Sequence, residues 1–175
     1  MNVGEIKTYD VANGTGIRVT VFVSGCTNRC KGCFQPQTWD FDYGEPYTEQ
    51  MEDFILRELA KPQYKGLTLL GGEPFEPVNQ EALAALVRRV KEELPNRDIW
   101  AFTGFIYERD LVPGGRKYTE YTDGMLDCID ILVDGPFVEE QRNLCLKFRG
   151  SENQRIIDLK ETRRTGAVVL SPLNG

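Results

Sequence analysis

Apolar residues along this chain form short runs separated by segments with helical spacing. Residues 18–24 are mostly β-branched or aromatic, which predicts a buried strand. Three further apolar runs predict strands over residues 66–70, 98–102 and 129–133. A predicted helix lies between each of these strands and the next, so strands and helices alternate along the chain.

Helical spacing is clearest over residues 78–94, where apolar side chains recur at intervals of three and four residues. Residues 48–60 and 119–128 are predicted to form two further helices. Strands that alternate with helices indicate βα units, a mostly parallel sheet and right-handed crossovers. A closed eight-fold barrel needs roughly 250 residues. This chain of 175 residues can therefore supply only part of such a barrel.

Unusual segments follow all four predicted strands. A loop with three cysteines begins at Gly25 after the first strand, and Gly-Gly-Glu-Pro occupies residues 71–74 after the second. Thr103 and Gly104 follow the third strand, and Asp-Gly-Pro occupies residues 134–136 after the fourth. Because ligands of parallel α/β sheets bind beyond the carboxyl ends of the strands, we expect the active site at this edge.

Charge and hydropathy narrow the class of protein. The formal net charge is −6, and the lysines and arginines are scattered, which disfavours nucleic acid as the main partner. No apolar run approaches eighteen residues, so no membrane span is expected. Residues 1–5 lack the basic start and apolar run of a signal peptide, so we expect a cytoplasmic protein. The length predicts one domain over residues 1–175.

The chain has five cysteines and no histidine. The odd number rules out a complete set of intramolecular disulfides, and cytoplasmic thiols stay reduced in any case. Without histidine, the chain cannot build a Ser-His-Asp triad, a Cys-His pair or a histidine-containing zinc site. Its chemistry must use thiolates, carboxylates, the backbone or a cofactor.

Three of the cysteines, Cys26, Cys30 and Cys33, have the spacing C-x3-C-x2-C. Thiolates in a short loop are soft ligands that suit zinc or an iron–sulfur cluster. In a 4Fe–4S cluster, three protein ligands leave one iron open, and the amine and carboxylate of S-adenosylmethionine can chelate that iron. An electron from the cluster would then break the sulfur–C5′ bond and give a 5′-deoxyadenosyl radical. The cofactor carries such chemistry, while the protein orients it.

Two other interpretations of the cysteine loop remain. The first is a structural zinc loop, although a structural zinc usually takes four ligands from two Cys-x2-4-Cys knuckles. The second is a loop whose thiols have no role as ligands. Cys128 lies beside a predicted buried strand and is expected to be a small core residue.

The Gly-Gly-Glu-Pro turn supplies a second feature of the edge. Gly71 and Gly72 allow the backbone to approach a ligand closely, and Glu73 is a candidate for a structural hydrogen bond. On its own, Gly-Gly-Glu-Pro is usually an ordinary turn. Here it follows the next predicted strand after the cysteine loop, so we expect both at the same edge of the sheet.

Together, C-x3-C-x2-C and the later Gly-Gly-Glu-Pro resemble the radical-SAM superfamily. Further segments resemble its branch that activates the anaerobic (class III) ribonucleotide reductase. The most specific of these are Val-Asp-Gly-Pro-Phe at residues 133–137, Phe-Arg-Gly-Ser at 148–151 and Asn-Gln-Arg at 153–155. The likeness covers about residues 2–158.

The resemblance implies a shortened radical-SAM core, an α/β fold with a partial (β/α)6-type barrel. It implies a 4Fe–4S cluster on Cys26, Cys30 and Cys33, with S-adenosylmethionine as the second cofactor. The residues that the resemblance places at the cofactor are Gly32, Cys33, Phe34, Gly71, Gly72, Glu73, Thr103 and Asp134. Of these, Thr103 and Asp134 are expected to contact the ribose of S-adenosylmethionine or a bound monovalent cation.

The resemblance also implies the partners. The radical would pass to a glycine in a loop of the large subunit of anaerobic ribonucleotide reductase, and a flavodoxin-like or other one-electron donor would reduce the cluster. A glycyl radical is stabilised because the flanking amide and carbonyl groups share it. The alternatives are an activase of the pyruvate formate-lyase type, a small-molecule radical-SAM enzyme and, from a different class, a non-catalytic zinc-binding adaptor. The sequence assigns no role to Cys145 or to the segment after Leu159.

Overall fold

The computed structural model describes residues 1–175 as a seven-stranded sheet with helices packed against it. The strands are β1 (Asn2–Asp10), β2 (Ile17–Val23), β3 (Glu45–Pro46), β4 (Tyr64–Gly71), β5 (Asp98–Phe102), β6 (Ile131–Asp134) and β7 (Arg155–Asp158). The helices are α1 (Glu49–Leu59), α2 (Pro77–Glu93), α3 (Tyr107–Asp110), α4 (Thr122–Cys128) and α5 (Leu159–Thr165). None of them combines the length and the apolar character that a bilayer crossing requires.

The strand order is β3-β1-β2-β4-β5-β6-β7. The four central strands, β2, β4, β5 and β6, pair in parallel. Their registers place Val23 beside Gly71 and Phe102 beside Val133, so their carboxyl ends lie along one edge. The outer strands β1, β3 and β7 are antiparallel to their neighbours.

The predicted α/β class and parallel centre are confirmed. Strand β5 has the predicted bounds, and the other three central strands begin and end within two residues of theirs. The predicted helices are present, but α4 begins at Thr122 instead of residue 119 because Thr119 binds the Thr122 side chain in a turn. Parallel pairing joins only four strands, so the partial (β/α)6-type barrel stays a prediction.

Strand β1 is not predicted by the apolar pattern. Its central residues alternate between half-buried and exposed positions, and only Val3 and Asp10 are fully buried. The strand ends where the Asp10 carboxylate accepts hydrogen bonds from the Thr20 hydroxyl (2.6 Å) and the Asn13 amide (2.7 Å). A polar residue therefore fixes the turn into β2, and a hydrophobicity pattern does not detect it.

Helices α1 and α2 cover one face of the sheet. Ile55 and Leu59 of α1 and Leu83 and Val87 of α2 belong to a cluster of 26 buried apolar residues. The Thr48 hydroxyl caps α1 by accepting the Met51 N–H, as Thr residues do at helix starts. The other face of the central sheet carries only a small cluster around Trp100, which leaves room for a cavity.

Arg18, at the start of β2, is completely buried. Its guanidinium donates to the Thr68 hydroxyl (2.7 Å), to the Leu67 carbonyl (2.9 Å) and to the Asp98 carboxylate (2.6 Å). It also lies 5.5 Å from the centre of the Trp100 ring. One cation thus joins the amino ends of β2, β4 and β5.

We predict that Arg18→Met destabilises the metal-free protein by about 3 kcal/mol, because methionine fills space but leaves buried acceptors without a donor. Urea unfolding followed by circular dichroism measures this loss. Arg88→Met on the exposed side of α2 is the control and should change stability by less than about 0.5 kcal/mol. An Arg18→Met protein as stable as the control would contradict the role of this cation.

Candidate functional site

A cavity of about 620 Å³ lies at the carboxyl edge of the parallel strands. Its floor is formed by Leu70, Phe102 and Val133 from the ends of β4, β5 and β6. Of the predicted site residues, seven line this cavity. Those that line the cavity are Cys30, Gly32, Cys33, Phe34, Gly72, Glu73 and Thr103.

The cysteine loop follows β2 and holds its three thiols at different depths. Cys26 is buried and does not line the cavity, whereas Cys30 and Cys33 line it. Arg29 (φ 46°) and Gly32 (φ 77°) adopt left-handed backbone conformations that turn the loop. A side chain at Gly32 would begin 3.2 Å from the Phe137 ring, so glycine allows the loop to pack against the segment after β6.

The thiols of this loop are shielded from water to different extents. Burial raises the pKa of Cys26 to about 11 and also raises the pKa of Cys30. The backbone N–H groups of Asn28 and Arg29 act in the opposite direction on Cys26, and that of Phe137 on Cys30. Without a metal the thiols of Cys26 and Cys30 are therefore protonated at neutral pH, and a coordinated metal would displace their protons.

The donor set fits an iron–sulfur cluster. All three cysteines are free thiols, two of them face the cavity, and backbone amides are directed at two of the sulfurs, as in sites that tune such clusters. No three cysteine, aspartate or glutamate side chains converge on a single metal position. A four-iron cluster requires no such convergence, because each of its thiolates binds a different iron.

Glu73 joins the loops that surround the cavity. Its carboxylate is completely buried and accepts hydrogen bonds from the Thr103 hydroxyl (2.7 Å) and the Gly104 N–H (2.7 Å) after β5. It also accepts from the Asn28 amide in the cysteine loop (3.2 Å) and from the Phe75 N–H in its own turn (3.0 Å). Burial raises the pKa of Glu73 to about 7, against the lowering effect of these donors.

A second buried carboxylate holds the residue that follows Cys26. Glu76 accepts from the Thr27 N–H (2.8 Å) and hydroxyl (2.6 Å), and it forms a salt bridge with Lys117 (3.1 Å). The Asn79 amide donates to the carbonyls of Ser24 and Glu73, both at 3.0 Å. The cysteine loop is therefore fixed to the start of α2 by Glu76, which immediately precedes this helix, and by Asn79 in its first turn.

Gly71 and Gly72 allow β4 to end against the cysteine loop. Gly71 has φ 111°, and a side chain at Gly72 would begin 2.6 Å from the Gly25 carbonyl oxygen. The Gly72 N–H donates to the Val23 carbonyl (2.7 Å), which keeps the ends of β2 and β4 together. Gly72 lines the cavity, whereas Gly71 lies behind its wall.

Asp134 differs from the other predicted site residues. It is buried and does not line the cavity, although its neighbour Gly135 does. Its carboxylate accepts from the Arg155 guanidinium (2.6 and 2.9 Å) and from the Tyr107 N–H (2.9 Å). Both of its oxygens thus have protein donors, and a ligand would have to compete with them.

Several cavity residues are absent from the sequence prediction. Asn28 lines the cavity from the cysteine loop, and Phe137 lines it from the segment after β6. Residues 142–150 form one of its walls. Leu144, Leu146 and Phe148 line the cavity at alternate positions. The apolar spacing of residues 144–148 is visible in the sequence, but nothing in that spacing indicates that the segment borders the site.

Comparison with known proteins identifies a family for most of the chain. Residues 12–157 match the family described as a 4Fe-4S single cluster domain. The anaerobic ribonucleoside-triphosphate reductase-activating protein of Vibrio cholerae is 43% identical over 158 residues, which cover 89% of this chain and 97% of that protein.

Two other proteins of the same name are similar along nearly their whole length. The one from Escherichia coli K12 is 38% identical over 162 residues, covering 91% of this chain and all of that protein. The one from Enterobacteria phage T4 is 38% identical over 158 residues, covering 89% and 93%. A 4Fe–4S cluster domain thus spans most of the chain, which belongs to the family of anaerobic ribonucleoside-triphosphate reductase-activating proteins.

Proposed function

We propose that this protein cleaves S-adenosylmethionine reductively at a 4Fe–4S cluster and generates a glycyl radical on anaerobic ribonucleotide reductase. The observation that carries the proposal is the position of three free cysteines, spaced C-x3-C-x2-C. Cys30 and Cys33 line the cavity, and Cys26 is buried in the same loop, whose Asn28 side chain donates to Glu73. The family of the chain supports the same function.

In this proposal Cys26, Cys30 and Cys33 hold the cluster through their thiolates. The bound cluster and S-adenosylmethionine supply one-electron cleavage of a carbon–sulfur bond. Gly32, Phe34 and Gly72, which border the same cavity, are proposed to contact S-adenosylmethionine. The backbone at Gly72 can approach a ligand closely because glycine has no side chain.

The remaining cofactor candidates have supporting roles in the proposal. Glu73 and Thr103 hold the loops at the strand ends. The Thr103 hydroxyl donates to Glu73 and accepts from the Phe105 N–H, which leaves few free acceptors for a ligand. Leu70, Phe102 and Val133 form an apolar floor that excludes water from the reaction. We also propose that the four parallel strands are the shortened core of the partial barrel that the resemblance implies.

The proposed partner is the large subunit of the reductase, which would present its glycine in a loop at the open side of the cavity. The proposed donor is a flavodoxin-like or other one-electron reductant. A zinc-binding adaptor would differ from this proposal in its metal content. A small-molecule radical-SAM enzyme would differ in that it needs no protein partner for turnover.

We predict that protein purified without oxygen carries about four iron and four sulfide per chain and forms 5′-deoxyadenosine with dithionite and S-adenosylmethionine. Cys30→Ala should lose most of the iron and the product, because a cluster ligand is missing. Cys128→Ala, which removes a thiol outside the cavity, should keep both. Metal analysis and chromatography of the nucleoside measure these outcomes.

One zinc per chain without 5′-deoxyadenosine would refute the proposed cleavage. With cleavage established, electron paramagnetic resonance of the reductase tests the second half of the proposal. A glycyl radical should form only when both proteins, S-adenosylmethionine and reductant are present. Turnover of a small molecule in the absence of the reductase would instead favour the small-molecule enzyme.

We predict that Glu73→Gln destabilises the metal-free protein by about 3 kcal/mol and shortens the lifetime of the cluster in air. An amide has one acceptor oxygen and brings two N–H donors, so buried donors of the loops lose their partner. Thermal or urea unfolding and the decay of visible absorbance measure the two effects. The exposed Glu120→Gln is the matched control. Equal behaviour of the two variants would show that the loops do not depend on Glu73.

A further inference from the structure

We infer that the loop Asn143–Gly150, with Phe34 at the same cavity, is the surface on which the reductase docks, through an apolar segment flanked by carboxylates. This inference rests on the proposed function and adds the place and the chemistry of the contact. We refer to residues 143–150 as the rim loop.

The first observation is that exposed apolar side chains gather around the opening of the cavity. Leu144 (84% exposed) and Phe34 (76%) are the two most exposed large apolar side chains of the chain, and both line the one cavity. The third, Val11 (68%), is adjacent to the lining residue Ala12. Exposed apolar side chains that gather around one opening mark an interaction surface.

A small ligand within the cavity would leave most of this apolar surface in water. A protein surface laid across the opening would cover it. The exposed rim therefore indicates a macromolecular partner in addition to the cofactor.

The shape of the rim loop is the second observation. Its base is closed by an antiparallel bridge between Arg142 and Ser151 and by a hydrogen bond from the Asn143 N–H to the Gly150 carbonyl (3.2 Å). Phe148 packs edge-on against Trp100, with ring centres 5.2 Å apart. The loop is thus anchored at its base and at one leg.

The tip of the loop is free by contrast. The side chains of Leu144, Cys145 and Lys147 are exposed, and none of them makes a hydrogen bond or salt bridge to the rest of the chain. An anchored base with a free apolar and basic tip presents side chains to a partner at little cost in ordering the backbone.

The charge of the rim loop is the third observation. Arg142 at its base and Lys147 and Arg149 within it are cations, and residues 142–150 include no acidic residue. Arg142 and Lys147 are exposed and form no salt bridge, although acidic residues outnumber lysine and arginine 27 to 21. The Arg149 guanidinium is instead held by the Gln154 and Asn174 carbonyls. A basic surface on a chain of net charge −6 favours a partner segment that carries carboxylates. The same net charge disfavours nucleic acid.

Two variants test the surface in the cluster-loaded protein. Leu144→Asp places a charge at the apolar tip and should raise the Kd for the purified reductase about tenfold or more. Lys147→Glu, whose side chain lies outside the cavity, should raise the Kd several-fold at low salt, and this difference should shrink at high salt because ions screen exposed charges. Leu144→Met should retain the wild-type affinity.

The matched controls lie on α2, where Val78 is 58% exposed and Arg88 is exposed. Val78→Asp and Arg88→Glu make the same changes of charge there and should leave the Kd unchanged. Anaerobic binding measurements give each Kd, and formation of 5′-deoxyadenosine without the reductase is measured alongside.

The outcomes separate this inference from the proposed function. If the wild-type protein forms no 5′-deoxyadenosine or does not bind the reductase, the proposed function fails and the docking surface fails with it. If it does both, and Leu144→Asp and Lys147→Glu bind within twofold of wild type, the docking surface alone is refuted. Equal weakening by the α2 controls would refute it as well, since the effect would not belong to the rim loop.

Discussion

The site depends on one buried carboxyl group. Glu73 has no lysine or arginine partner, and its carboxylate is held instead by hydrogen bonds from three separate segments of the chain. A buried carboxylate is tolerated only where donors replace the water that it loses. The loops after β2, β4 and β5 must therefore come together around it, and the cavity is the space that remains between them.

A buried cation has the corresponding role at the opposite end of the sheet. Arg18 joins β2, β4 and β5 near their amino ends, as Glu73 joins the loops at their carboxyl ends. Between the two groups the strands are apolar and pack on α1 and α2. Apolar packing alone leaves the relative positions of the strand ends loosely defined. Arg18 fixes them near one end of the sheet, and Glu73 fixes the loops at the other. The precision needed at the cysteine loop thus derives from contacts outside the loop itself.

The sequence predicts the parts of this structure that depend on local pattern. The apolar run of β5, the spacing of α2 and the cysteine motif are all local, and the structure has the two elements within a residue or two of their predicted bounds. Glu73 is expected to make a structural hydrogen bond, and it does. Its partners could not be predicted, because Asn28 and Thr103 lie 45 and 30 residues away and meet it only in the folded sheet.

Strand β1 and the segment after Leu159 could not be predicted, because neither shows a local pattern that indicates its place in the fold. Strand β1 exposes one face, so its apolar content is too low for a pattern of buried residues. The segment after Leu159 shows no motif, yet Asn174 accepts a hydrogen bond from the Ile156 N–H (2.8 Å), and its carbonyl accepts one from Arg149 (2.8 Å). The C-terminal residues thereby hold the leg of the rim loop.

Two regions of the cavity differ in how they are held. The floor and the cysteine loop are fixed by buried carboxylates and glycines, as a site must be when it orients a cofactor with little freedom. The rim loop is fixed at its base and at the leg that carries Phe148, and its tip presents free apolar and basic side chains. A cofactor that stays bound needs the first arrangement. A protein partner that binds only transiently is suited to the second, because a smaller and more hydrated contact dissociates faster.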